Sequence, residues 1–301
     1  MALKSSNLLK QLFRPHHLLK YGQTPIERFA SGIPIVFHRK ASSSDKLVDV
    51  AVDDKTGIAT VTLQRPPVNS LNLELLEQFI SALQAVEDNK SSGMILTSAS
   101  PTVFSAGLDI MEMYKPKPDR VKKFWTTLQD MWLKLYSSPY PTVAAINGHS
   151  PAGGCLLALS CEYRIMVGPK YSIGLNETQL GIVAPRWFQD SMKNVIPIRQ
   201  AELALTTGRM FSTEEALKIG LVDALAKDKA DALSQAANFL LQMKKIPRVA
   251  RGLTKQACRQ DAIGWLEKNR DLDLQIFLTF VNQPAVQKGL ELYLESLKKK
   301  Q

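Results

Sequence analysis

Thr142–Ile146 is a run of β-branched and small apolar residues that ends at Asn147-Gly148. Residues 151–161 follow as a buried helix of small residues, entered through Pro151-Ala152-Gly153-Gly154, and Tyr163–Val167 is a further apolar strand. Strand, glycine-rich turn, helix and strand in that order mark an α/β layout, with helices packed on a sheet.

The same logic extends upstream. Val48–Val52 and Ile58–Leu63 alternate apolar and polar residues around Lys55-Thr56-Gly57, which predicts a β-hairpin, and Pro66-Pro67 stops its second strand. Residues 73–86 put Leu75, Leu76, Phe79, Leu83 and Val86 on one helical face, with Asn72 placed to cap the start. Residues 94–96 form a short buried strand. Residues 122–136 form a helix with Phe124, Leu128, Met131, Trp132 and Leu135 inward, ended by Pro139 and Pro141. No strand is predicted after about residue 186. Ser212-Thr213-Glu214-Glu215 is a capping box whose helix closes at Gly220, and residues 228–245 and 284–299 are further amphipathic helices. The expected organisation is an α/β core over residues 41–200 and a helical region over residues 201–301.

Charge is distributed unevenly. Lys4, Lys10, Arg14, Lys20, Arg28, Arg39 and Lys40 stand against one acid, Glu27, so more than half of the net charge of +10 lies in residues 1–40. Leu8, Leu9, Leu12 and Phe13 recur there at helical spacing, and a basic, amphipathic, acid-poor start predicts a mitochondrial transit peptide over residues 1–40 and a matrix location. The remaining excess is modest and carries no RNP-type aromatic motif, so no nucleic-acid partner is expected. The longest apolar runs fall short of the roughly 20 residues of a membrane span. Three cysteines, an odd number, indicate free thiols, and Cys155 and Cys161 lack zinc-site spacing and company, so no metal is expected.

Nucleophile-histidine chemistry would have to use His149, the one histidine beyond the basic segment, and its place beside Gly148, Ser150 and Pro151 reads as turn lining. HExxH, P-loop and GxGxxG motifs are absent. Catalysis is left to carboxylates and backbone amides. Two segments offer amides: Phe104-Ser105-Ala106-Gly107-Leu108-Asp109-Ile110 and Asn147-Gly148-His149-Ser150-Pro151-Ala152-Gly153-Gly154-Cys155. Each is a sharp turn able to expose N–H groups, and the second opens a helix. Aimed at one point they form an oxyanion hole.

Taken together and in order, these turns, the early Gln64-Arg65-Pro66-Pro67-Val68-Asn69-Ser70-Leu71-Asn72, the segment Ile173-Gly174-Leu175-Asn176-Glu177-Thr178-Gln179-Leu180-Gly181-Ile182 and the late Ala216 through Gly220-Leu221-Val222-Asp223 resemble the enoyl-CoA hydratase/isomerase (crotonase) superfamily over residues 46–260. The 175–182 stretch and the PAGG turn are most similar to its mitochondrial 3,2-enoyl-CoA isomerases. The resemblance implies a crotonase-type spiral of ββα units with a C-terminal helical, trimerising region. It implies Glu177 as the catalytic base, Ala106 and Gly153 as oxyanion donors, and Ala106, Gly107, Leu108, Asp109, Ile110 and Gly153 as the contacts of an acyl-CoA substrate, with no cofactor beyond the coenzyme A the substrate carries.

Hydratases of the superfamily use two glutamates. Here the position after Gly-Gly-Cys is Leu156, and the other is Glu177. One carboxylate suits a proton shuttle from C2 to C4 better than activation of water. The implied activity is conversion of 3-enoyl-CoA to trans-2-enoyl-CoA in β-oxidation; the alternatives are dienoyl-CoA isomerisation, hydration, or RNA binding on the same fold. Burial among Leu175, Leu180 and Ile182 is expected to raise the Glu177 pKa. Asp109 is expected to cap the following turn, Glu162 to pair with Arg164 or a backbone group, and Asn176 either to orient the base or simply to belong to the loop. Lys115, Lys117, Lys122 and Lys123 either meet the phosphates of coenzyme A or form a solvated face. Trp125, Trp132, Trp187 and Phe188 are candidate walls for the acyl chain.

Overall fold

The computed structural model describes residues 46–298, so the expected leader lies outside the described residues. Strands β1 (Val48–Val52) and β2 (Ile58–Leu63) pair antiparallel, joined by a turn in which the Asp53 carboxylate accepts from the Lys55 and Thr56 amides and Gly57 takes a φ of +72°. β2 then pairs in parallel with β3 (Gly93–Ser98), β3 with β4 (Thr142–Ile146), and β4 with β6 (Tyr163–Val167). A second, small sheet is built from β5 (Ser150–Pro151), β7 (Ser172–Gly174) and β8 (Phe211–Ser212).

Parallel pairing requires crossovers, and the helices supply them. Helix α1 (Leu73–Asp88) links β2 to β3, and Asn72 caps it by accepting from the Leu75 amide. Helix α2 (Pro118–Tyr136) links β3 to β4; it starts four residues before the sequence pattern predicts, because Pro118 occupies the first turn, where its missing N–H costs nothing. The short α3 (Gly153–Ser160) links β5 to β6 and is fully buried.

β3 and β4 are buried at every position, so both faces of the sheet must be covered. Met94, Leu96, Ala144 and Ile146 point into the main core with α1 and α2. Ile95, Val143, Ala145 and Ile165 point the other way, against Ala232, Ala236 and Leu240 of a helix from the far end of the chain. This is period-two alternation along the strands.

Strands continue past residue 186, contrary to the sequence expectation. β8 belongs to the small sheet, and β9 (Ala224–Ala226) adds in parallel to β6 at the edge of the main sheet. Both are too short to show a period. Helices α4 (Arg186–Lys193), α5 (Ile198–Thr207) and α6 (Thr213–Lys218) fill the intervening chain, α6 opening with the expected Ser212–Glu215 capping box. Helix α7 (Lys229–Met243) is the cover of the second sheet face. Helix α8 (Arg248–Val281), with a break in helical geometry at Asn269, and helix α9 (Pro284–Lys298) complete the chain. No helix among the described residues is long and apolar enough to cross a membrane.

Candidate active site

The segment 104–110 is fastened by side chains of low exposure. Asn69 Nδ2 donates to Ser98 Oγ at 2.7 Å and to the Phe104 carbonyl at 3.1 Å, and Ser105 Oγ donates to the Asn69 carbonyl at 2.8 Å. The main chain then runs beside residues 68–71: Ala106 N–H donates to Val68 O at 2.9 Å, Leu71 N–H to Gly107 O at 2.8 Å, and Asp109 N–H to Leu71 O at 3.0 Å. Gly107 N–H is taken by Ser105 Oγ at 3.2 Å. Among the described residues the Leu108 N–H has no acceptor.

The second turn meets this one in contact. Gly107 has a φ of +87°, and a Cβ there would lie 2.9 Å from both the Ala152 Cβ and the Gly153 nitrogen. Glycine is required on both counts. A Cβ on Gly153 would in turn lie 3.2 Å from the Leu108 nitrogen. Gly153 is the first residue of α3, and its N–H also has no acceptor among the described residues. Two unpaired amides, those of Leu108 and Gly153, therefore sit side by side. This corrects the sequence expectation for Ala106: its N–H is already spent on Val68, and the open donor of the first turn is two residues later.

Beside the amides lies a cavity of about 120 Å³, lined among others by Ala106, Leu108, Ile110, Ala152, Asn176 and Glu177. Glu177 opens a single 3-10 turn, Glu177–Leu180, after β7. That turn is pinned by Thr178 Oγ1 donating to Leu205 O at 2.6 Å and by Gly181 at a φ of +69°. The Glu177 side chain is 6% exposed, and neither carboxylate oxygen has a hydrogen-bond partner among the described residues. Burial without a counter-charge pushes its pKa up to about 7. Such a carboxyl group is both acid and base near neutrality.

Residues 53–301 match the model of the enoyl-CoA hydratase/isomerase family. The chain belongs to that family. Over 259 residues it is 47% identical to "Enoyl-CoA delta isomerase 1, mitochondrial" of Mus musculus, covering 85% of this chain and 89% of the relative. The protein of the same name from Homo sapiens is 45% identical over 251 residues, 83% of each chain. The crystal structure of human mitochondrial delta3-delta2-enoyl-CoA isomerase superposes with a TM-score of 0.82 at 44% identity, covering 85% of this chain and all of that one. The fold is the crotonase-type α/β fold with a C-terminal helical region.

Within this enoyl-CoA hydratase/isomerase family frame the other expected residues fall as follows. Ala106, Leu108 and Ile110 line the cavity, whereas Gly107, Asp109 and Gly153 shape its edge without lining it. Asp109 caps the following 3-10 turn through the Met111 amide at 3.0 Å and pairs with Arg65 at 2.8 Å. Leu156 is buried in α3, directly after Cys155, whose thiol is pushed up by burial and by the charge of Glu177. Trp125 and Phe188 line the cavity; Trp132 and Trp187 do not and are core residues, Trp132 donating to Ser191 Oγ at 3.1 Å. Glu162 accepts from the Thr142 amide at 3.0 Å, but its cations are Arg251 and Lys255 rather than Arg164, which pairs with Asp223. Lys123 pairs with Glu77 at 2.6 Å. His149 bonds Ser172 away from the cavity lining.

Several lining residues escaped the sequence, Met113, Phe277 and Phe280 among them, and so did two polar ones. Tyr293 of α9 lines the cavity from the far end of the chain, and Asp273 of α8 puts a second acid on its wall. Nothing local distinguishes either from an ordinary helix residue.

Proposed function

We propose that the chain is a mitochondrial enoyl-CoA delta isomerase that converts 3-enoyl-CoA to trans-2-enoyl-CoA during oxidation of unsaturated fatty acids. The observation that carries the reading is Glu177: one buried, unpartnered carboxylate beside two open amides in a largely apolar cavity. The C2 protons of a 3-enoyl thioester are both α to the carbonyl and allylic. Glu177 takes one of them, and the electron pair moves through the new dienolate to the thioester oxygen. The Leu108 and Gly153 N–H groups hold that oxygen, each donor contributing about 3 kcal/mol by analogy with measured oxyanion holes. The same carboxyl group returns the proton at C4, and the double bond ends in conjugation.

The atoms balance without an oxidant, reductant or added water, so no cofactor is needed beyond the coenzyme A of the substrate. Hydration requires a second acid-base group on a water molecule. Leu156 offers none, and the oxygens of Asp273 are already bonded by neighbouring N–H groups. The basic leader over residues 1–40 and the mitochondrial relatives support a matrix location. The region beyond residue 201 leaves Ile246, Val249 and Leu253 exposed, the first in the link between α7 and α8 and the others on α8, which supports assembly of the 201–301 region into a trimer. The test is a Glu177→Gln variant supplied with 3-enoyl-CoA while the absorbance of the conjugated thioester is followed. Loss of product formation supports the reading, and near-normal turnover refutes Glu177 as the base.

A further inference from the structure

Asp273 is 4% exposed and has no cation within ion-pair distance among the described residues. Its Oδ2 accepts from Trp125 Nε1 at 2.7 Å and from Gln129 Nε2 at 2.8 Å, and both oxygens lie 3.3 Å from Trp187 Nε1. Three neutral donors from two helices thus converge on one carboxyl group from a third. Burial pushes its pKa upward, opposed by these donors. A carboxyl group held this way adds little stability over an apolar replacement, because its desolvation cost is only partly recovered by neutral donors. What it does fix is orientation. Trp125 and Phe277 are stacked with centroids 3.7 Å apart, both line the cavity, and Trp187 braces Trp125 edge-on at 6.1 Å.

We propose that Asp273 is a positioning residue that sets acyl-chain selectivity: by accepting hydrogen bonds from both indoles it holds Trp125 as a rigid wall of the acyl cavity, which disfavours chains that need the ring to move aside. This deepens the isomerase reading and rests on it only for the identity of the ligand. Removing the carboxyl group leaves two indole N–H groups buried without an acceptor, so the rings turn to seek one. The wall then yields.

The test uses saturated hexanoyl-CoA and dodecanoyl-CoA as binding probes, titrated calorimetrically into the full-length protein, with turnover of the matching 3-enoyl-CoAs measured in parallel. In Asp273→Ala the affinity ratio of the long to the short chain is expected to rise about tenfold over wild type, comparable with a small packing change in a hydrophobic pocket. Asp273→Asn keeps an oxygen where Trp125 and Gln129 donate and is expected to restore the wild-type ratio. Trp125→Phe, which shortens the wall and removes its donor to Asp273 while leaving Gln129 and Trp187 bonded there, is expected to shift the ratio in the same direction as Asp273→Ala. It decides the matter if the alanine variant does not fold. An unchanged ratio in folded Asp273→Ala and Trp125→Phe, or an equal loss for both lengths, overturns the proposal. Wild-type protein that binds both probes but isomerises neither substrate overturns the isomerase reading instead, and the binding ratio still judges Asp273.

Discussion

Glu177 and Glu162 are both largely buried glutamates, and they have opposite surroundings. Burial is the largest influence on each and acts upward. At Glu162 it is outweighed by Lys255 at 3.3 Å and Arg251 at 2.5 Å, with Arg259 nearby, and the carboxyl group sits below its ordinary range. At Glu177 no counter-charge opposes burial, and the group rises to about 7. Depth does not separate a framework acid from a reactive one; the partner does. The Glu162 cluster joins β4 to α8, whereas Glu177 keeps both oxygens free for a ligand.

The strongest way to break this contrast is Glu177→Gln. Turnover is expected to fall by about a thousandfold, as for loss of a general base. The melting temperature should hold or rise, since an amide replaces a carboxyl group that has no partner. Glu162→Ala is expected to do the reverse. It strands Lys255 and Arg251 beside an empty acceptor and should cost about 3–5 kcal/mol in urea denaturation, while kcat per folded molecule is kept.

pH sharpens the contrast further. Glu177 has a folded pKa above the ordinary 4.5, so its protonated form stabilises the fold; that contribution is complete below about 4.5 and is lost as pH rises through about 7. Glu162 has a lowered pKa, so its contribution is present above the ordinary value and disappears on acidification. Denaturation curves between about pH 5 and 8 should therefore lose a falling component in Glu177→Gln. The kcat/KM of the wild type should climb to a midpoint near 7, because the proposed mechanism requires Glu177 to be ionised. The smallest effect is expected at Cys258, the exposed thiol in the hollow beside Glu162. Alkylating it should leave turnover unchanged, whereas Cys155 and Cys161, buried and with thiols pushed up, should resist the reagent. Loss of activity on modification would tie the two regions together.

The order of the early elements, the cap at Asn72 and the capping box at Ser212 were legible because each rests on a local pattern, whereas Glu177 was singled out through the family resemblance and by nothing local. The choice between Ala106 and Leu108 was not. Which amide of a glycine turn stays open depends on residues 68–71, far off in sequence, whose carbonyls consume the others. β9 was hidden because three residues show no period, and α8 because its apolar positions do not keep one face over its length. Asp273 looked like any helix acid until α8 laid it against two indoles from α2 and α4.

Gln287 donates to Met113 O at 2.9 Å and Val281 O at 2.6 Å and accepts from the Lys115 amide at 2.8 Å, while Tyr114 Oη donates to Glu291 at 3.1 Å. These bonds sew α9 to the segment just past the first amide turn and bring Tyr293 to the cavity. During translation Glu177 and both open amides leave the ribosome well before that last wall. A nascent chain halted after residue 283 therefore holds Glu177 and both open amides and still lacks a closed chamber, which makes the final helix the step that turns a folded scaffold into a shielded vessel.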